Sequence, residues 1–196
     1  LYYCFPAENS RYGDAWYAFP GFFSKGIAEW FSRFAAAGVR GAYFCGWGQD
    51  VESYLTFHLL NNPFLPTDHI LDDYFSGFYG PAGPAMKKVY REIERIYSSP
   101  DSYPPDFTGH QTEKIAWEHL GSAENMTRLA GMMADARRTA EKAGDQVQAR
   151  VALFDRSIWE CMEAGRTRYL VRQWMAANRR PRALSVPRLA VPVAGG

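Results

Sequence analysis

"GAYFCGWGQDVESYLTF", residues 41–57, changes character at its midpoint. Its first half is apolar and reads as a strand covered on both faces. Its second half takes a helical period, with Val51, Tyr54, Leu55 and Leu59 on one face and Pro63 as the stop. Between the two lie Gly46, Trp47, Gly48, Gln49 and Asp50. Glycines at such a place cost conformational entropy and let backbone approach something closely, so the junction reads as more than a turn.

Reading toward the N-terminus, residues 1–5 form a second apolar, strand-like run, followed by a loop over 6–23 rich in Pro, Gly and aromatics. Ser24 is placed to cap a helix whose apolar positions Ile27, Trp30, Phe31 and Phe34 keep the helical spacing, and Gly38 ends it. The order strand, loop, helix, strand, helix predicts parallel strands joined by crossover helices.

Beyond Pro63 the pattern is helical throughout. Thr67 opens a helix with Ile70, Leu71, Tyr74, Phe75 and Phe78 inward, stopped at Gly80-Pro81. "PAMKKVYREIERIYSS" follows with a stripe of Met86, Val89, Tyr90, Ile93, Ile96 and Tyr97, and "SPDSYPPDFTG" reads as a proline-rich linker. Three further helical patterns cover about 112–120, 122–143 and 145–178 and suggest a small antiparallel bundle. The expected fold class is therefore α/β followed by all-α, mostly helical by residue count. Its expected divisions are 1–62, 63–178, and 179–196 as a linker or the start of a missing following domain.

Composition narrows the function classes. The 196 residues are 47% hydrophobic and 22% charged with a formal net charge of +1, so electrostatics gives no argument for nucleic acid or an anionic membrane as partner. Aromatic residues make up 16%, enough for a large core or an aromatic-lined pocket. Cys4, Cys45 and Cys161 and the histidines at 58, 69, 110 and 119 have no metal-ligand spacing, so no metal or cofactor is expected. No apolar run approaches the ~18–20 residues of a membrane span. The opening "LYYCFPAE" lacks Met and reads as the inside of a longer polypeptide. The compartment is left open.

Parallel strands bind ligands past their carboxyl ends. That places Glu8 after the first strand, and Trp47, Gln49 and Asp50 after the second, at one rim. An indole offers a plate for the C–H face of a pyranose, and an amide and a carboxylate bind its hydroxyls, so a carbohydrate or glycoside is the expected ligand. Glycosidic cleavage needs two carboxyl groups, about 5–5.5 Å apart for retention or roughly 6.5–9.5 Å for inversion, and Glu8 with Asp50 is the available pair. The plainer alternatives are a helix-start acid at Asp50, favoured by the macrodipole, and a solvated loop acid at Glu8. In "ENMT", Asn125 to Thr127 match a glycosylation acceptor but sit inside a predicted helix.

The run "FPGFFSKGIAEWFSRFAAAGVRGAYFCGWGQDVESYLTFHLLNNP", followed by "LDDYFSGFYGPAGPAMKKVYREIE", resembles a bacterial domain of unknown function similar to the α-glucuronidase and hexosaminidase group of glycoside-hydrolase barrels. The resemblance spans about residues 1–175. It implies that 1–62 are the last strand–helix units of a (β/α)8 TIM-type barrel and that a helical bundle follows. It further implies that Trp47 and Gln49 match a Trp and, two residues on, a Glu that hold sugar hydroxyls in such barrels. Gln in place of Glu leaves hydroxyl binding and removes acid–base chemistry. The expected function is then part of a carbohydrate-active protein, with Trp47, Gln49 and Asp50 binding sugar, Glu8 as the catalytic candidate, and the rest of the parent polypeptide completing the site. The alternative is a non-catalytic scaffold or interaction module with a helical protein-binding surface.

Overall fold

The computed structural model of the protein describes residues 17–42 and 50–178 with their side chains, and the backbone of residues 2–4, 11–12, 16 and 43–45. Seven α-helices carry the fold: α1 (Ser24–Ala36), α2 (Asp50–Asn61), α3 (Thr67–Tyr79), α4 (Gly83–Ser98), α5 (Ala123–Ala143), α6 (Asp145–Phe154) and α7 (Glu160–Ala177). Two π-helical segments join them, Ile115–Leu120 ahead of α5 and Asp155–Trp159 between α6 and α7.

This corrects the expected fold class. Of the residues described with their side chains 79% are helical, an all-helical fold, and the expected α/β TIM-barrel units over 1–62 are not supported. Extended pairing among the described residues is limited to two minimal ladders. Tyr2–Cys4 (β1) runs parallel to Tyr43–Cys45 (β4), and Arg11–Tyr12 (β2) runs antiparallel to Trp16–Tyr17 (β3). Strands of two or three residues make no sheet layer for helices to cover, and α1, α2, α3 and α4 pack successively on one another instead. The two expected apolar runs do pair in parallel, but a run of three paired residues bounded by glycines carries too little periodicity to specify the barrel expected from it.

From α3 onward the sequence pattern and the structure agree. In α4, Met86, Val89, Tyr90, Ile93 and Ile96 are buried at helical spacing, and this stripe joins α3, α5 and α7 in one large core. The α3–α4 turn is tight because of its glycines. Gly80 adopts φ +51°, and a Cβ on Gly83 would lie 2.5 Å from the Phe75 carbonyl oxygen. Ser122 caps α5, its hydroxyl accepting from the Asn125 N–H at 3.3 Å. The Asn125 side chain in turn donates to the Leu120 carbonyl at 2.8 Å, so this asparagine closes a turn.

Trp117 sits at the centre of the body. A Cβ on Gly165 would lie 2.3 Å from its ring, so α7 packs backbone-close on the indole. Its Nε1–H donates to the Tyr17 carbonyl at 3.0 Å. Nearby, the Gln111 amide binds both backbone groups of Phe19, accepting from its N–H at 2.6 Å and donating to its carbonyl at 3.1 Å. These clamps lay the stretch 17–23 across the bundle, where Phe19 and Phe22 are buried and Phe22 stacks on Tyr90 at 4.6 Å.

Candidate functional site

Glu8, Trp47 and Gln49 lie outside the described residues. Asp50 is described: it opens α2, is exposed, and edges a crevice of about 40 Å³ with Tyr74, Phe78 and Ser157 among its walls. Its place in the first turn of α2 favours its charge through the helix dipole. Tyr74 stacks on Phe78 there at 5.7 Å.

The buried face of α2 is rotated from the one its apolar residues predict. Glu52, Leu55, Thr56 and Leu59 are buried, whereas Val51 and Tyr54 are only half-buried. Burying a carboxylate costs several kcal/mol unless it is partnered. Tyr90 of α4 donates its hydroxyl to Glu52. Burial, and after it the charges of Glu52 and Glu94, push the Tyr90 phenol well above its ordinary range. Tyr90 therefore stays protonated and acts as a fixed donor.

A second buried carboxylate, Glu94, organises the start of α1. That helix has no acid in its first turn and no cap from its own N-cap residue Phe23. Glu94 supplies the cap from α4. Its Oε1 accepts from the Ser24 hydroxyl at 2.8 Å and from the Lys25 N–H at 3.0 Å, and its Oε2 from Arg91 Nη1 at 2.5 Å. Arg91 also donates to the Ser24 hydroxyl at 2.8 Å and, through Nη2, to Asp68 at 2.6 Å. Lys87 pairs with Asp72 at 2.7 Å. The Asp68 carboxyl is held below its ordinary range first by the Arg91 hydrogen bond. So Ser24, read from the sequence as the cap, is the first helical residue and is itself held by the cap.

Two surface features flank this network. On one side, α4 and the start of α1 enclose a cleft of about 630 Å³, with Lys25, Lys88, Arg91, Arg95, Glu92 and Glu94 among its lining residues. On the other side, α1 and α2 share a groove of about 90 Å³ lined by Phe31, Phe34, Val39, Leu59, Leu60 and Pro63, with Arg40 as the one ionisable residue among the described ones of its lining. Val39 (40% exposed) and Leu60 (42%) of this lining meet solvent, as do Trp30 of α1 (41%), Phe57 of α2 (67%) and Phe64 just beyond α2 (72%). Among the described residues the small apolar cluster here has four buried members, Ile27 of α1, Leu55 and Leu59 of α2, and Ile70 of α3.

The sequence reading missed Glu52, Glu94 and Arg91. The available signal was an acid at a core-facing helical spacing: Glu94 stands four residues after Tyr90, and Glu52 three before Leu55. Arg137 of α5 pairs with Asp155 at 2.5 Å.

Comparison of the chain with family models, with curated proteins and with solved structures finds no match. Among the described residues no group of three His, Cys, Asp or Glu side chains is arranged to hold a metal ion. No helix among them is long and apolar enough to cross a membrane.

Proposed function

We propose that the chain is a non-catalytic interaction module whose α1–α2 face docks another polypeptide. The observation that carries this reading is the apolar groove between α1 and α2, where Val39 and Leu60 of the lining are exposed, together with exposed Trp30 on α1, Phe57 on α2 and Phe64 just after it. Apolar surface gathered in this way marks contact surfaces. The occupant is a non-identical, apolar segment with an acidic residue opposite Arg40. Arg40 is the groove's one ionisable residue and has no carboxylate partner among the described residues. A second copy docked groove to groove by two-fold symmetry would bring the same patches, and with them two Arg40 side chains, together.

The test is site-specific photo-crosslinking from position 57 in the full polypeptide in its own cells, with mass-spectrometric identification of the linked peptide. The expected result is one apolar, acid-bearing peptide from a different surface. It is lost with Arg40→Glu and recovered when the acid opposite is changed to Lys. Linkage only to position 57's own surface in a second copy, or no linkage, contradicts the reading.

A second reading is carbohydrate binding, and a specific observation favours it: Asp50 adjoins the stacked rings of Tyr74 and Phe78 and the hydroxyl of Ser157. An aromatic plate beside a carboxylate is the inventory a pyranose needs. Titration with neutral and acidic monosaccharides, followed by NMR at Tyr74 and Phe78, tests it. Saturable shifts weakened by Asp50→Asn support sugar binding, and their absence sinks it.

A further inference from the structure

We propose that the cleft between α4 and the start of α1 binds a small molecule carrying a dianionic phosphoryl group. Arg91 is committed to Glu94 and Asp68, and Arg95 to Glu92 at 2.7 Å, so the guanidinium groups in the cleft are already matched by carboxylates. Lys25 and Lys88 line the same cleft and make no ion pair with the described residues. Two cations without counter-charge in one concavity select a ligand group with close to two negative charges, which a phosphoryl group carries near pH 7.

The shape agrees. At about 630 Å³ the cleft falls within the range of small-molecule sites and far exceeds a bare anion. Its apolar walls, Phe23 and Met132, give the ligand's body a surface, and the Ser99 hydroxyl is a further donor at the rim. A Cβ at Gly26, the third residue of α1, would meet nothing within 4 Å, so the helix is open to the cleft at that point. Lysine suits the role, because an ammonium acts as a point charge on phosphate without the fixed fork of a guanidinium. On sequence, Lys88, Arg91, Glu92 and Arg95 fall at i, i+3, i+4 and i+7, one continuous stripe of α4.

Calorimetric titration of the chain with inorganic phosphate, pyrophosphate, phenyl phosphate and malonate, at ionic strength fixed with chloride, tests the proposal. The expected outcome is one saturable site for the phosphoryl compounds. Phenyl phosphate binds more tightly than phosphate through Phe23 and Met132, and malonate binds at least tenfold more weakly. Lys25→Gln and Lys88→Gln each weaken phenyl phosphate about tenfold, the double variant abolishes binding, and Lys142→Gln on the far end of α5 leaves it unchanged. Both cleft lysines are exposed, so the thermal melts of these variants match the parent. No saturable binding, binding that survives in the double variant, or malonate equal to phosphate would overturn it.

Discussion

The body built from α3 to α7 and the α1–α2 pair are made of similar sequence and end in opposite states. The body threads one stripe per helix into a continuous core around Trp117. The α1–α2 pair carries comparable aromatic content but turns much of it outward, and α1 buries only Ser24 and Ile27. The difference lies in partners. Each body helix finds apolar neighbours on more than one side, whereas α1 is held chiefly by α2 and by a polar anchor, Glu94 of α4. Helical amphipathicity states that a face seeks cover without stating which element supplies it.

The first way to break the comparison is at the body's centre. Trp117→Ala should cost about 3–5 kcal/mol, the usual range for a large aromatic cut to Ala in a core. It also removes the donor to Tyr17, so the stretch 17–23 should loosen with it. Chemical denaturation gives the loss, and a cost under ~1 kcal/mol would mean that the indole is not the keystone.

Glu94→Gln should come next, at about 3 kcal/mol, because it breaks a buried carboxylate–arginine pair and leaves Arg91 short of an acceptor. The loss should fall on α1, with the melting of α5 and α7 unchanged. Uniform destabilisation of all helices would erase the boundary between the two regions.

Phe57→Asp should change stability by no more than about 0.5 kcal/mol, as expected of an exposed position, while lowering the binding of a hydrophobic dye. A large loss of stability would place Phe57 in a core.

The smallest effect concerns pH. Glu92 bridges Arg95 of its own helix and Arg128 of α5, and the Arg95 hydrogen bond, followed by the attraction of the two arginines, holds its carboxyl below the ordinary value of 4.5. Its folded-state pKa lies below its unfolded one. The stability it contributes is therefore present above about pH 4.5 and lost as pH falls through the lower, folded-state value. Glu92→Gln should cost about 1 kcal/mol at neutral pH and flatten the acid limb of the stability profile, which unfolding curves between pH 6 and pH 2.5 would reveal.

What could be read from the sequence follows the same division. The stripe of α4, the stop at Gly80-Pro81 and the inward residues of α3 were legible because an amphipathic period over three or four turns has one reading. Residues 41–45 had too few positions to show a period, and apolar content with flanking glycines was read as a barrel strand. The buried acids were illegible for another reason. Glu52 and Glu94 sit beside the apolar stripes, and only the tertiary placement of Tyr90, Ser24 and Arg91 makes their burial tolerable. Of the residues expected to bind sugar, Asp50 alone can be placed, and it lies at a crevice formed by α2, α3, the end of α6 and the segment after it, which no local pattern announces.

On the proposal above, the α1–α2 face is covered by a partner, and in the chain by itself it should open more readily than the α3–α7 body. Native-state hydrogen exchange of the chain tests it most directly, since local opening and global unfolding are read amide by amide. The account predicts that amides at Phe31 and Phe34 in α1 exchange at least about a hundredfold faster than those at Tyr90 and Ile93 in α4, a gap of about 2.7 kcal/mol. Equal protection in α1 and α4, rising and falling together with denaturant, would contradict it.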